Sequence, residues 1–279
     1  MNPIMMNEKL MYATLRLESN GTAATGFIYS SSKGNYIVVS NRHFAEKKEL
    51  DQLDYSRSTL KEYVEFNIHL DDDSNFHIKD NVVWYLHPTT DLAFFQLNPL
   101  LAKNLPNIAP KKFNIISLDS SIIPSQNDLD NLTATENVLM CGYPNGQYDI
   151  VNNFPIIRSG ITSSHPSVDF NGEKKGIVDI PCIPGSSGSP IMIINEGIYF
   201  QKNRGNICGS RIYFLGIEYA SPMRYINELV QKVPDPTNPQ NSIFVSINNI
   251  YIKIDMSLGI YIKASEINGF ATHFKNLGI

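Results

Sequence analysis

Short apolar runs broken by turn residues recur along the whole chain, and this pattern restricts the fold more than any other property of the sequence. Met11 to Leu17 alternates and is rich in strand formers. Gly26-Phe27-Ile28-Tyr29 and Tyr36-Ile37-Val38-Val39 follow, separated by the turn signal Lys33-Gly34-Asn35. Each run is too short for an ordinary helix. Further strands are expected at Tyr63 to Leu70, Val82 to Tyr85 and Asp91 to Leu97, with one helix inside the polar segment Glu46 to Lys61. Asp71-Asp72-Asp73 reads as a solvated hairpin tip, because the other oxygen ligands of a cation loop are missing at the required spacing.

From Asp119 to Glu136 the chain turns polar and loses apolar periodicity, which divides it into residues 1–120, a linker at 121–136, and residues 137–279. The second part repeats the style of the first. Strands are expected at Val138 to Cys141, Pro155 to Arg158, Ile177 to Ile180, Ile191 to Ile194, Tyr213 to Tyr219, Ile243 to Ile254 and Leu258 to Lys263. A tight turn is expected at Asn171-Gly172, a long polar loop from Asn195 to Arg211, and a short helix at Met223 to Val233. The fold class is therefore all-β, as two packed barrels or a pair of sandwiches.

Composition narrows the function. Only 18% of the 279 residues are charged, the formal net charge is −4, and no basic stripe occurs, so nucleic acid is not expected as the main ligand. Cys141, Cys182 and Cys208 form no close pair and read as buried thiols in a reducing compartment. Met1 to Glu18 lacks a basic region followed by an apolar stretch, and no apolar run reaches the length of a membrane span. The expected location is the cytoplasm.

Three segments carry chemistry. Pro184-Gly185-Ser186-Ser187-Gly188-Ser189-Pro190 runs straight into an apolar strand. It is either a Gly/Ser turn or a loop whose bare backbone holds a negative oxygen beside a nucleophile, Ser187. A serine hydroxyl needs a base, usually a histidine oriented by a carboxylate. Of six histidines, His43 lies just past the strand Tyr36 to Val39. Asp91 follows the turn Pro88-Thr89-Thr90 and opens a strand.

These segments resemble the chymotrypsin-fold serine proteases. Gly21 to Ala45 is similar to their hairpin leading into a T-x-x-H strand end, Thr90-Asp91-Leu92-Ala93 to D-[IL]-A-[LV], and Gly185 to Pro190 to G-[DN]-S-G-[GS]-P. The order His, Asp, Ser is theirs, and the intervals are close to theirs. The Ser-first order and G-x-S-x-G motif of α/β-hydrolases do not match. The bacterial branch, with the high-temperature-requirement (HtrA) proteases and the glutamyl endopeptidases, extends the resemblance. Gly142-Tyr143-Pro144-Asn145-Gly146, Arg158 to Thr162, and Leu258 to Ile262 resemble its G-x-P-x-G, x-S-G-I-V-S and G-F-A-I-P segments. The chain departs at Ser186, where an acid or amide is usual, and at Ser189, which replaces a second glycine.

The resemblance implies two six-stranded antiparallel β-barrels with few short helices. It implies a serine endopeptidase in which His43 is the base, Asp91 orients it, Ser187 attacks, and the amides of Gly185 and Ser187 form the oxyanion hole. No metal or organic cofactor is expected. Glu218, in Leu215-Gly216-Ile217-Glu218, stands where relatives place the residue that reads the first substrate side chain (P1), and would favour a basic one; Pro181 stands at the pocket base. Partners would be a protein or peptide substrate and a regulatory protein, with Asn195 to Arg211 as the control surface; no nucleic acid or membrane is expected. The setting would be bacterial stress or antiviral defence. The alternative is a catalytically silent module of the same fold that binds a peptide or protein.

Overall fold

The computed structural model describes residues 5–47, 59–234 and 242–279. The first alternating run becomes strand β1 (Thr14–Ser19), which turns into β2 (Thr22–Ser32) through Asn20 and Gly21, both at positive φ (50° and 72°). Such a turn matches the natural twist of paired strands. The N-terminal half continues with β3 (Asn35–Ser40), the short pair β4 (Glu46–Lys47) and β5 (Thr59–Leu60), then β6 (Tyr63–His69), β7 (Asn75–Asn81), β8 (Tyr85–Leu86), β9 (Ala93–Gln96) and β10 (Leu118–Asp119). The C-terminal half holds β11 (Asn137–Gly142), β12 (Ile156–Thr162), β13 (Lys175–Asp179), β14 (Pro190–Asn195), β15 (Ile198–Gln201), β16 (Gly205–Cys208), β17 (Arg211–Ala220), β18 (Met223–Pro234), β19 (Ser242–Asp255) and β20 (Gly259–Lys263). Among the described residues five α-helices accompany them: α1 (Met6–Ala13), α2 (Arg42–Ala45), α3 (Asn98–Ile108), α4 (Gln126–Asp130) and α5 (Ala271–Leu277).

In the C-terminal half six strands close into a barrel in the order β11-β12-β13-β20-β17-β14. The N-terminal half forms one sheet in the order β7-β6-β1-β2-β3-β9-β8, with β10 parallel to β2. Its two outer strands, β7 and β8, are neighbours in the chain, joined through Val82, Val83 and Trp84. The ladder is interrupted at those residues, so of the two expected barrels the C-terminal one is closed by continuous pairing, and the N-terminal sheet is not.

Alternation along the strands sorts the core into three clusters. On β2 and β3, Phe27, Tyr29, Ile37 and Val39 face the C-terminal half, while Ile28 and Val38 face inward among Leu15, Leu17, Val64, Phe66, Ile78, Trp84 and Phe95. Inside the closed barrel lie Val138, Met140, Val178, Ile180, Ile191, Ile193, Leu215 and Tyr261. Phe27, Phe94, Met192, Phe214, Ile217 and Phe270 fill the seam between the halves. Each fully buried side chain of this kind contributes about 1.5–3 kcal/mol.

The chain ends cross that seam. Near α1, the Tyr143 hydroxyl donates to the Thr14 carbonyl (3.1 Å), and Leu10 packs in the seam. At the other end, a 3₁₀ helix (Ala264–Phe270) and α5 lie on the N-terminal half, where Phe270 and Phe274 pack on Phe94 with ring centroids 4.8 and 5.4 Å apart.

Several expectations change. Met223 to Val233 is strand β18, paired in an antiparallel ladder with β19, not a helix. Within Asn195 to Arg211 the chain forms the hairpin β15–β16. The helix expected between Glu46 and Lys61 falls mostly outside the described residues. Residues 121–136 include α4, capped reciprocally by Ser125 and Asp128, and Leu129 and Leu132 pack into the barrel core. Cys141 and Cys182 are buried, but Cys208 on β16 is exposed. Among the described residues, no helix is long and apolar enough to cross a membrane.

Candidate functional site

The pairing of β3 with β9 brings two distant segments together. Ser40 lies opposite Ala93, so the residues just past β3 meet those just before β9. The chain leaves β3 through Asn41 and makes the single turn α2, with the amides of Phe44 and Ala45 bonded back to the Asn41 carbonyl (3.2 and 3.4 Å). That turn carries His43. Asp91 is bound on both its backbone and its side chain: Asn41 Nδ2 and the Arg42 amide donate to its carbonyl (2.9 and 3.2 Å), and the His43 amide donates to Oδ1 (2.8 Å). The remaining oxygen, Oδ2, lies 2.5 Å from His43 Nδ1. An ionised carboxylate only accepts, so Nδ1 carries the proton and Nε2 is the basic nitrogen. The His43 side chain is 40% exposed and that of Asp91 26%, which leaves the ring open to a ligand while its partner is shielded.

The third segment leads into β14. Gly185 and Gly188 sit at φ of +89° and +91°, where other residues are strained. A Cβ on Gly188 would also fall 1.9 Å from the Thr25 carbonyl oxygen. The loop's hydrogen bonds divide sharply. The amides of Ser186, Gly188 and Ser189 donate to the carbonyls of Ile183, Glu218 and Ser186 (3.0, 2.8 and 2.9 Å). Those of Gly185 and Ser187 donate to no group among the described residues. Two unspent amides flanking a serine are the donor set that a developing oxyanion requires.

Thr25 on β2 binds this loop to the N-terminal half. Wholly buried, it donates through its amide to the Ser187 carbonyl (2.9 Å) and through Oγ1 to the Gly185 carbonyl (2.8 Å). Oγ1 also accepts from the Tyr143 amide (3.1 Å), and the Thr25 carbonyl accepts from Ser40 Oγ (2.8 Å). The sequence reading does not single out this residue, because a threonine in an alternating strand looks like any other strand former.

His43, Gly185 and Ser187 line one cavity of about 460 Å³ between the halves, together with Thr22, Ala24, Phe44, Lys47 and Lys61. Lys61 Nζ bonds Thr22 Oγ1 (2.6 Å) and stands 4.0 Å over the Phe44 ring. Thus His43, Asp91, Ser187 and Gly185 come together. Pro181 and Glu218 lie elsewhere, behind the loop Gly185 to Ser189. Glu218 is 2% exposed, pairs with the core residue Tyr261 across β17 and β20, and faces the barrel interior. Arg158 on β12 reaches the same place, where it donates to the Pro181 carbonyl and through Nη2 to Ser186 Oγ (2.8 Å). Burial lowers the pKa of Arg158, and the Glu218 carboxylate opposes that shift. Among the described residues no cluster of His, Cys, Asp and Glu could hold a metal ion.

The family model of the trypsin-like peptidase domain matches residues 24–197. No curated protein matches the chain. Among solved structures, Rv3671c from M. tuberculosis H37Rv in its inactive form is similar at 12% identity and a TM-score of 0.46, covering 99% of this chain and 91% of that one. The active form of the same protease gives 13% identity and 0.45, over 96% and 82% of the two chains. The serine protease of a human pathogenic astrovirus gives 10% identity and 0.42, over 90% and 89%.

Proposed function

The chain belongs to the family of trypsin-like peptidase domains, and from that membership we propose that it is a serine endopeptidase acting through an acyl-enzyme on Ser187. His43 Nε2 takes the proton as Ser187 Oγ adds to the scissile carbonyl carbon. Asp91 keeps the ring in its tautomer and stabilises the imidazolium. The tetrahedral oxygen accepts from the amides of Gly185 and Ser187. When the C–N bond breaks, His43 returns the proton to the leaving amine; water then repeats the sequence, and Ser187 departs with the proton. The observation that carries this reading is the convergence of the Asp91-bound imidazole and Ser187 on one cavity.

The substrate is a protein or peptide. The basic preference expected from Glu218 is not carried into this reading, because Glu218 faces the barrel interior and does not line the cavity of His43 and Ser187. We place the protein in the cytoplasm, as no disulfide joins its cysteines. A role in bacterial stress or antiviral defence suits a peptidase that must be restrained among cellular proteins. Ile198 and Phe200 on the β15–β16 hairpin are 68% and 50% exposed, which suits the surface of a regulatory partner.

A serine-directed fluorophosphonate probe tests the reaction. Labelling should occur on Ser187 and vanish in Ser187→Ala. Labelling that persists in that variant moves the nucleophile elsewhere, and a wild type that resists the probe leaves the binding module as the reading.

A further inference from the structure

The turn that presents Asp91 is built around a second histidine. His87 is 2% exposed. Its Nε2 lies 2.9 Å from the Glu266 carbonyl in the 3₁₀ helix Ala264–Phe270, and a carbonyl only accepts, so Nε2 bears the hydrogen. Nδ1 is then the bare nitrogen, and it accepts from the amides of both Thr89 and Thr90 (3.2 and 3.0 Å). The His87 amide closes the same turn on the Leu92 carbonyl (2.9 Å). Room for the ring exists because residue 269 is glycine: a Cβ there would lie 1.8 Å from Nε2. The Phe270 ring packs edge-on against the imidazole at 5.2 Å.

We propose that His87 is a positioning residue for the reaction centre, which shapes the turn carrying Asp91, fastens it to residues 264–270, and holds it only while the imidazole is neutral. The inference rests on the reading of His43, Asp91 and Ser187 as the catalytic set. A proton on Nδ1 would turn an acceptor of two amides into a donor aimed at them, and the turn would open. Burial favours the neutral ring. The charged and titratable groups around it are Glu266 and His273 from the C-terminal segment and Asp91 on its own turn, with Glu173, Lys174 and Lys175 across the adjoining cavity. Glu266 favours the protonated form and His273 opposes it.

The test follows fluorophosphonate labelling against pH in the full chain, beside the NMR resonance of the His43 Nδ1 proton. His87→Asn places an acceptor oxygen near the Nδ1 position and cannot take up a proton. It should label within about two-fold of wild type at neutral pH, while His87→Leu falls about ten-fold or more and shifts the His43 resonance. On the acid side, wild type should lose labelling with the uptake of two protons, and His87→Asn with one. Equal labelling and an unshifted resonance in His87→Leu overturn the proposal, as does a His87→Asn variant that falls as far as His87→Leu. If His87→Leu does not fold, matching acid profiles of wild type and His87→Asn overturn it. If wild type is not labelled at all, the nucleophile assignment fails, and the His43 resonance still decides whether His87 holds Asp91.

Discussion

Asp91, through His43, and Ser187 serve one cavity from different halves, and their surroundings treat hydrogen-bonding capacity in opposite ways. Around Asp91 it is spent: the carbonyl accepts from Asn41 and Arg42, and the carboxylate from the His43 amide and ring. Around Ser187 two amides are withheld while the rest of the loop is bonded. In the proposed mechanism one side keeps a charge that is already present, and the other receives one that appears only during reaction. A site of this kind needs both, because a donor already satisfied by protein cannot be offered to a transition state.

The widest gap between the sides should come from Asp91→Asn. The amide would disturb the tautomer of His43 but leave the loop at Ser187 untouched, so kcat/KM should fall on the order of 10⁴-fold while thermal stability changes little. A drop below ten-fold would show that the carboxylate is not what sets the imidazole. Thr25→Val tests the other side. It keeps the shape but removes the Oγ1 bonds to Gly185 and Tyr143, leaving buried partners unsatisfied at about 1–3 kcal/mol. Labelling should fall roughly ten-fold with substrate affinity less affected; an unchanged rate would mean that the loop holds its amides without Thr25.

The effect that leaves the site itself least changed concerns acid. His69, buried between Tyr12 and Phe154, has its pKa lowered by burial to about 4. The unfolded chain therefore takes up this proton at higher pH than the folded one. Its contribution to stability is complete above about pH 6.5 and is lost as pH falls toward 4, with a slope of at most about 1.4 kcal/mol per pH unit. His69→Phe should flatten the fall of Tm across that window and leave Tm at neutral pH nearly unchanged. His69 and His87 both belong to the N-terminal half, so acid should loosen the Asp91 side before the Ser187 side.

The sequence shows the site's chemistry better than its supports. His43, Asp91 and Ser187 stand at strand ends beside turn residues, where local signals are strong. Thr25 and Arg158 act through partners more than 20 residues away in the chain, Gly185 and Ser186, and no local pattern marks such a pairing. Glu218 depends on register: β17 carries an extra residue against β14 between Phe214 and Gly216, and which face the following residues take is decided by that shift. Met223 to Val233 misleads because Ile226, Leu229, Val230 and Val233 repeat at helical spacing, whereas β19 supplies a partner strand along nearly its whole length. The resemblance, not the apolar runs, implies six strands for the C-terminal barrel, and six close it. The break at residues 82–84 was not legible, since Val82 to Tyr85 reads as one uninterrupted strand.

The crossed chain ends bear on how the protein is made. His87 meets the carbonyl of Glu266 across 179 positions of sequence, so the turn bearing Asp91 is not completed until residues 264–270 have been made. A ribosome emits about 5–20 residues per second, and contacts this distant in sequence form late. The nascent chain would display its histidine, its aspartate and then its serine well before they are held in register. A peptidase of the kind proposed would thus remain inactive until residues 264–270 are in place.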